Sequence, residues 1–77
     1  GEEFLMILPH TGIRNAMGYA EKIRELINSC VFPRVKHVTC SFGVSEFKND
    51  DTVHTLLTRV DRALYRAKSM GRNRVEI

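Results

Sequence analysis

Two stretches of this chain repeat apolar residues at steps of three and four. Ile13, Ala16, Met17, Ala20, Ile23, Ile27 and Cys30 form one stripe, and Val53, Leu56, Leu57, Val60, Leu64 and Ala67 form the other. Each is the pattern of an amphipathic helix that has to bury one face. Between them Val38, Cys40, Phe42 and Val44 alternate with Thr39, Ser41 and Gly43, the period of a strand with one packed face. The opposite face carries only small groups, so another element can lie close against it. The apolar run Leu5-Met6-Ile7-Leu8 predicts a strand over residues 3–8, covered on both sides and ended by Pro9. Residues 36–44 are expected to form the second strand and Val75-Glu76-Ile77 a short third. The order strand, helix, strand, helix, short strand predicts an α+β fold with helices packed on a sheet that contains antiparallel strands. Two strands and a stub offer too little apolar surface for two helical stripes. Part of the sheet is therefore expected to come from outside these residues, or from a second chain.

Local signals place the element ends. The Thr11 hydroxyl is expected to cap the first helix, and Asp50 or Asp51 the second. Gly18 weakens the first helix by about 1 kcal/mol relative to Ala, or lets a neighbour approach. Pro33 closes that segment, and Gly71 stands where a left-handed C-terminal cap belongs.

A chain of 77 residues allows one domain. With 43% hydrophobic and 27% charged residues it has an ordinary globular composition. Its apolar runs fall far short of the roughly 20 residues that span a bilayer, and no secretion signal is visible. Cys30 and Cys40 form no CxxC pair, and His10, His37 and His54 lie at no zinc-finger spacing. Both thiols read as reduced side chains of a cytoplasmic protein, with a Cys30–Cys40 disulfide as the alternative. The net charge is +3, and Arg59, Arg62, Arg66, Lys68, Arg72 and Arg74 crowd the last third. Such a cluster attracts phosphate. The plain alternative is a solvated helix face that complements the helix C-terminus.

The two ends of the chain narrow the choice. Gly1-Glu2-Glu3-Phe4 sets two carboxylates on a Gly turn ahead of an apolar strand. A Gly turn lets backbone N–H groups approach phosphate oxygens, and a carboxylate is a hard-oxygen ligand suited to Mg²⁺. Far along the chain, Asp61-Arg62-Ala63-Leu64-Tyr65-Arg66-Ala67-Lys68 runs into Gly71-Arg72-Asn73-Arg74-Val75. With Val38 to Val44 between them, these segments together resemble the C-terminal half of a GGDEF domain, the diguanylate cyclase family. Gly1 to Phe4 resembles the last four positions of the signature in its Glu form. Val60, where the family usually has Ala, and Phe42, where an aliphatic residue is commoner, are mild departures.

The resemblance implies half of a ferredoxin-like, nucleotidyl-cyclase palm spanning residues 1–77. It implies condensation of two GTP into cyclic di-GMP and two pyrophosphates across a homodimer, with Mg²⁺ or Mn²⁺. By the same resemblance Glu2 and Glu3 are the catalytic candidates, with Glu2 also the metal ligand. Gly1, Lys68 and Arg72 are candidates for binding the substrate phosphates. Lys68 and Arg72 are four apart, which predicts one shared face of the helix and its cap. Lys22 occupies a position where some family members carry an Arg in a secondary cyclic di-GMP contact. The remaining cations are expected to be structural or solvated, with Asp61 and Arg62 folding the helix against its neighbours and Tyr65 packing.

The half that carries the metal-binding Asp, the phosphate loop and the guanine-reading residues is absent, so the chain alone is expected to be inactive. An upstream sensor domain and a product-inhibition Arg-x-x-Asp would both lie before Gly1. Two other readings compete. One is a degenerate GGDEF-type regulatory module that binds GTP or cyclic di-GMP, or only dimerises. The other is a small nucleic-acid binder, disfavoured because the strands lack an aromatic stacking set. Direct membrane contact by this segment is not expected.

Overall fold

The computed structural model describes residues 3–30, 33 and 38–77. Four elements follow in order: α1 (Ile13–Ser29), β1 (Phe42–Gly43), α2 (Val53–Ser69) and β2 (Val75–Glu76). β1 and β2 pair in parallel, Phe42 opposite Val75 and Gly43 opposite Glu76. Phe42 N–H donates to Arg74 O and Val44 N–H to Glu76 O, each at 2.9 Å. Parallel neighbours need a long crossover, and here α2 is that crossover. The fold is thus α+β as expected, but the described pairing is parallel and not antiparallel.

The expected strand over 3–8 does not form: among the described residues 3–8 has no ladder partner. Its side chains lie open, with Phe4 91% and Ile7 76% exposed. A strand is stable only against a neighbour, and none of the described residues supplies one. The second expected strand shrinks to Phe42–Gly43, because β2 offers only two residues to pair with. Lys36 and His37, at its expected start, lie outside the described residues.

Both helices form where the stripes predict. On α1, Ala20 is buried, and Ile13, Ala16, Met17, Ile23 and Ile27 are half-buried. Cys30 falls beyond the helix end and is exposed. Gly18 has open space around its Cα, so no neighbour approaches there. α2 lies against β1 and also touches β2, while α1 touches β2. Burial on α2 centres on Ala63 and Ala67, one turn apart, while Val53 at the start of the stripe is exposed, and so is Tyr65, which faces away from the buried side and does not pack as expected. The reason is the distance between layers. A Cβ added at Gly43 would lie 2.3 Å from Leu64 N and 2.6 Å from Val60 O. At that level strand backbone rests directly on helix backbone, and the small-residue face of β1 is what allows it.

The helix caps differ from expectation. Thr11 Oγ1 turns back and donates to Pro9 O at 2.9 Å. The first turn of α1 is served instead by Glu46 Oε1, which accepts from Ile13 N–H at 2.6 Å. Thr52 caps α2, accepting from Thr55 N–H at 3.1 Å while Thr55 Oγ1 accepts from Thr52 N–H at 2.9 Å. Asp51 is committed elsewhere. It receives Arg59 Nη1 at 3.0 Å, Lys48 N–H at 2.8 Å and Thr55 Oγ1 at 2.9 Å.

Candidate functional site at the C-terminal end of α2

α2 ends at Ser69, and its last turn carries Arg66 and Lys68. Gly71 adopts φ +121°, and the next two residues stay left-handed, Arg72 at φ 63° and Asn73 at φ 48°. Arg72 N–H donates to Ala67 O at 2.9 Å, the six-to-one bond of a Schellman cap. Gly71 therefore terminates the helix as expected. The same turn puts Arg72 in the cap, as the place of Gly71 implies, while Lys68 lies in the last helical turn. The helical period stops at Ser69, and Arg72 belongs to a left-handed turn beyond it.

The chain ends meet at this helix terminus. Lys68 Nζ donates to Glu3 Oε2 at 2.9 Å across 65 residues of sequence. The Lys68 ammonium, by hydrogen bond and then by charge, holds the Glu3 carboxyl below its ordinary range. Both side chains are open to solvent on one side, so the contact contributes little stability by itself. Gly1 and Glu2, the other two candidates in the acidic segment, lie outside the described residues.

The basic cluster separates into tied and untied members. Arg59 binds Asp51, Ser45 Oγ at 2.7 Å and Glu46 O at 2.8 Å, so it fastens α2 to the loop after β1. Arg74 donates to Met70 O at 2.6 Å and to Glu76 at 3.1 Å, closing the α2 terminus. Arg66 donates to Ile77 O. These three are structural, more firmly engaged than a solvated face would make them. Arg72 is exposed. Among the described residues its guanidinium has no hydrogen-bond or ion-pair partner.

Sequence reasoning missed Asn73. Its N–H donates to Ser41 Oγ at 3.2 Å, its Oδ1 accepts from Arg24 Nη1 at 2.9 Å, and its Nδ2 donates to Asn28 Oδ1 at 3.4 Å. It thereby joins the turn to the segment before β1 and to α1. The available signal was its place directly after Gly71-Arg72, since Asn is the residue that best tolerates a left-handed backbone after Gly.

A Mg²⁺ or Mn²⁺ ion needs several oxygen ligands. Among the described residues no three His, Cys, Asp or Glu side chains converge, and the one carboxylate at the site, Glu3, is held by Lys68. The donor type suits such an ion, but the described residues do not complete its shell. No helix among the described residues is long and apolar enough to cross a membrane.

The sequence pattern described as diguanylate cyclase, GGDEF domain, matches residues 1–74. The chain belongs to the GGDEF diguanylate cyclase family. Its relatives in that family include the diguanylate cyclase DgcM of Escherichia coli, 41% identical over 75 residues that cover 97% of this chain and 18% of the relative. The diguanylate cyclase VdcA of Vibrio cholerae is 41% identical over 81 residues, covering 97% of this chain and 24% of the relative. The response regulator PleD of Caulobacter vibrioides is 40% identical over 81 residues, covering 97% and 18%. This GGDEF chain thus spans less than a quarter of the length of these relatives. No solved structure matches it.

Proposed function

We propose that this chain is the C-terminal half of a domain that condenses two GTP into cyclic di-GMP. In this reading the 3′-hydroxyl of one GTP attacks the α-phosphate of the other. A P–O bond forms to the hydroxyl oxygen, the bond to the β-phosphate bridge breaks, and pyrophosphate leaves. Two copies face each other, each bringing one GTP.

The observation that supports the reading is the meeting of Lys68 with Glu3, which brings the acidic N-terminal segment to the cationic end of α2. Phosphoryl transfer depends on charge neutralisation at the phosphates. Lys68 and Arg72 would bind the outer phosphate oxygens and stabilise the departing pyrophosphate. The Glu3 carboxylate occupies Lys68 as an anionic stand-in for phosphate, and an arriving triphosphate would compete with it. Glu2 would take the proton of the attacking hydroxyl and serve as this chain's ligand for Mg²⁺ or Mn²⁺, the remaining ligands coming from outside the chain. The backbone N–H of Gly1 would approach a phosphate oxygen. The supply of GTP points to the cytoplasm as the compartment.

The test is direct. The 77-residue chain with GTP and Mg²⁺ should give no cyclic di-GMP, whereas the complete domain should give it. In the complete domain Lys68→Ala and Arg72→Ala should each lower the rate about 10²-fold. Full activity in either variant refutes their roles.

The second reading, a regulatory module that binds GTP or cyclic di-GMP without turnover, draws on the single carboxylate at the described site. Tight nucleotide binding by the complete domain, with no product under any divalent ion, would select it.

A further inference from the structure

Gly71, Arg72 and Asn73 hold three successive positive φ angles, and two of these residues carry a Cβ. A left-handed backbone costs about 1 kcal/mol or more for each residue other than Gly. Such a turn persists only where its surroundings hold it. The Schellman bond and Arg74 tie the turn to α2, and Asn73 ties it to the rest of the fold. Its side chain is bonded to Arg24 at 2.9 Å and to Asn28 at 3.4 Å, both on α1. Its N–H is bonded to Ser41 Oγ, three bonds on three separate residues. Arg24 is in turn fixed by Glu21, whose Oε1 accepts from Arg24 Nε at 2.9 Å. Arg72, one residue earlier, has an open side chain and an N–H spent on capping α2.

We infer that Asn73 is the positioning residue for Arg72: the Arg24–Asn73–Ser41 clamp helps fix the left-handed turn and thereby holds the Arg72 backbone in place just beyond the end of α2. The inference rests on the proposed role of Arg72 in binding a triphosphate. Asn73 itself touches no substrate. A long Arg side chain on a free loop loses rotamer and backbone entropy each time it engages a phosphate. On a clamped turn the backbone share is already spent.

The test is a double-mutant cycle in the complete domain, read as the affinity for 3′-deoxy-GTP, which binds but has no hydroxyl to condense. Asn73→Gly keeps the left-handed backbone accessible and removes both side-chain bonds. It should weaken binding about five- to tenfold in the parent protein, and less than about twofold when it is combined with Arg72→Gln. Asn73→Asp, which can still accept from Arg24, should recover most of the loss. The amide-to-Hα coupling of Arg72 should shift in Asn73→Gly as its fixed φ averages. Arg24→Gln, which changes the clamp from the α1 side and leaves the turn sequence intact, should weaken binding in the same direction and covers the case in which Asn73→Gly fails to fold.

Equal losses in the parent protein and in the Arg72→Gln background would reduce Asn73 to a structural residue and overturn the inference. So would unchanged affinity in both Asn73→Gly and Arg24→Gln. If Arg72→Gln alone leaves affinity unchanged, the triphosphate role of Arg72 falls and the inference falls with it. If Arg72→Gln weakens binding but the clamp variants do not, the clamp alone is refuted.

Discussion

Gly43 is the residue with the least freedom to change. An added methyl would lie well inside contact distance of the α2 backbone at Val60 and Leu64, and backbone cannot swing aside as a side-chain tip can. Gly43→Ala should destabilise the chain by about 1–3 kcal/mol or more by overpacking, seen as a lowered urea midpoint. A midpoint unchanged from wild type would mean the layers separate freely. Asp51 carries the clearest pH signal. Arg59, the Lys48 N–H and the Thr55 hydroxyl hold its carboxyl below the ordinary range. A lowered folded pKa gives stability that is full above the unfolded value of about 4 and is lost as pH falls below it. Acid titration of stability should therefore slope downward below about pH 4, and Asp51→Asn should flatten part of that slope. An identical slope in the variant would remove Asp51 as its source. The Gly43 constraint was legible in the run of small residues at alternate positions. The Asp51 network was not, because either acidic residue in Lys48-Asn49-Asp50-Asp51 could have capped α2, whereas Thr52 caps it and Arg59, eight residues on in α2, takes Asp51.

At the scale of elements, the helices were readable and their junctions were not. The 3.6-residue period depends on local geometry alone, so the stripes of α1 and α2 appear in both sequence and structure. Caps depend on what lies nearby in space. Glu46, 33 residues away, serves the start of α1, and no local pattern around Thr11 could announce it. Glu46→Ala should fray the first turn of α1 and cost about 1 kcal/mol, visible as faster amide exchange at Ile13 while α2 amides stay protected. Thr52→Ala should do the same to α2. The C-terminal turn was half legible: Gly71 announced the helix stop, but the left-handed Arg72 and Asn73 follow from bonds to α1 and to Ser41, which join segments at least 32 residues apart. The strands were the least legible. Their apolar patterns name residues fit for a sheet, and no described residue provides the partner that would realise them over 3–8.

At the scale of the whole molecule, only Ala20, Ala63 and Ala67 are buried apolar residues among those described, and no large side chain is fully enclosed. A chain of this size has little interior to spare. Phe4, Leu5, Met6 and Ile7 are all exposed, and an open apolar segment of extended character pairs readily with another chain. Sedimentation of the isolated chain should therefore show association that grows with concentration, and Ile7→Lys should suppress it. A monomer at high concentration would contradict this expectation.

The parallel pairing of β1 and β2 through α2 also bears on the order of assembly. Residues 42–76 form a contiguous unit whose closing contacts span one helix, so that unit can assemble without waiting for distant sequence. α1 reaches it through Glu46 at one end and through Arg24, Asn28 and the β2 contact along its length. During refolding, the turn at Gly71 to Asn73 would gain its Arg24 and Asn28 bonds only on α1 docking, which makes the final tightening around Arg72 a late step.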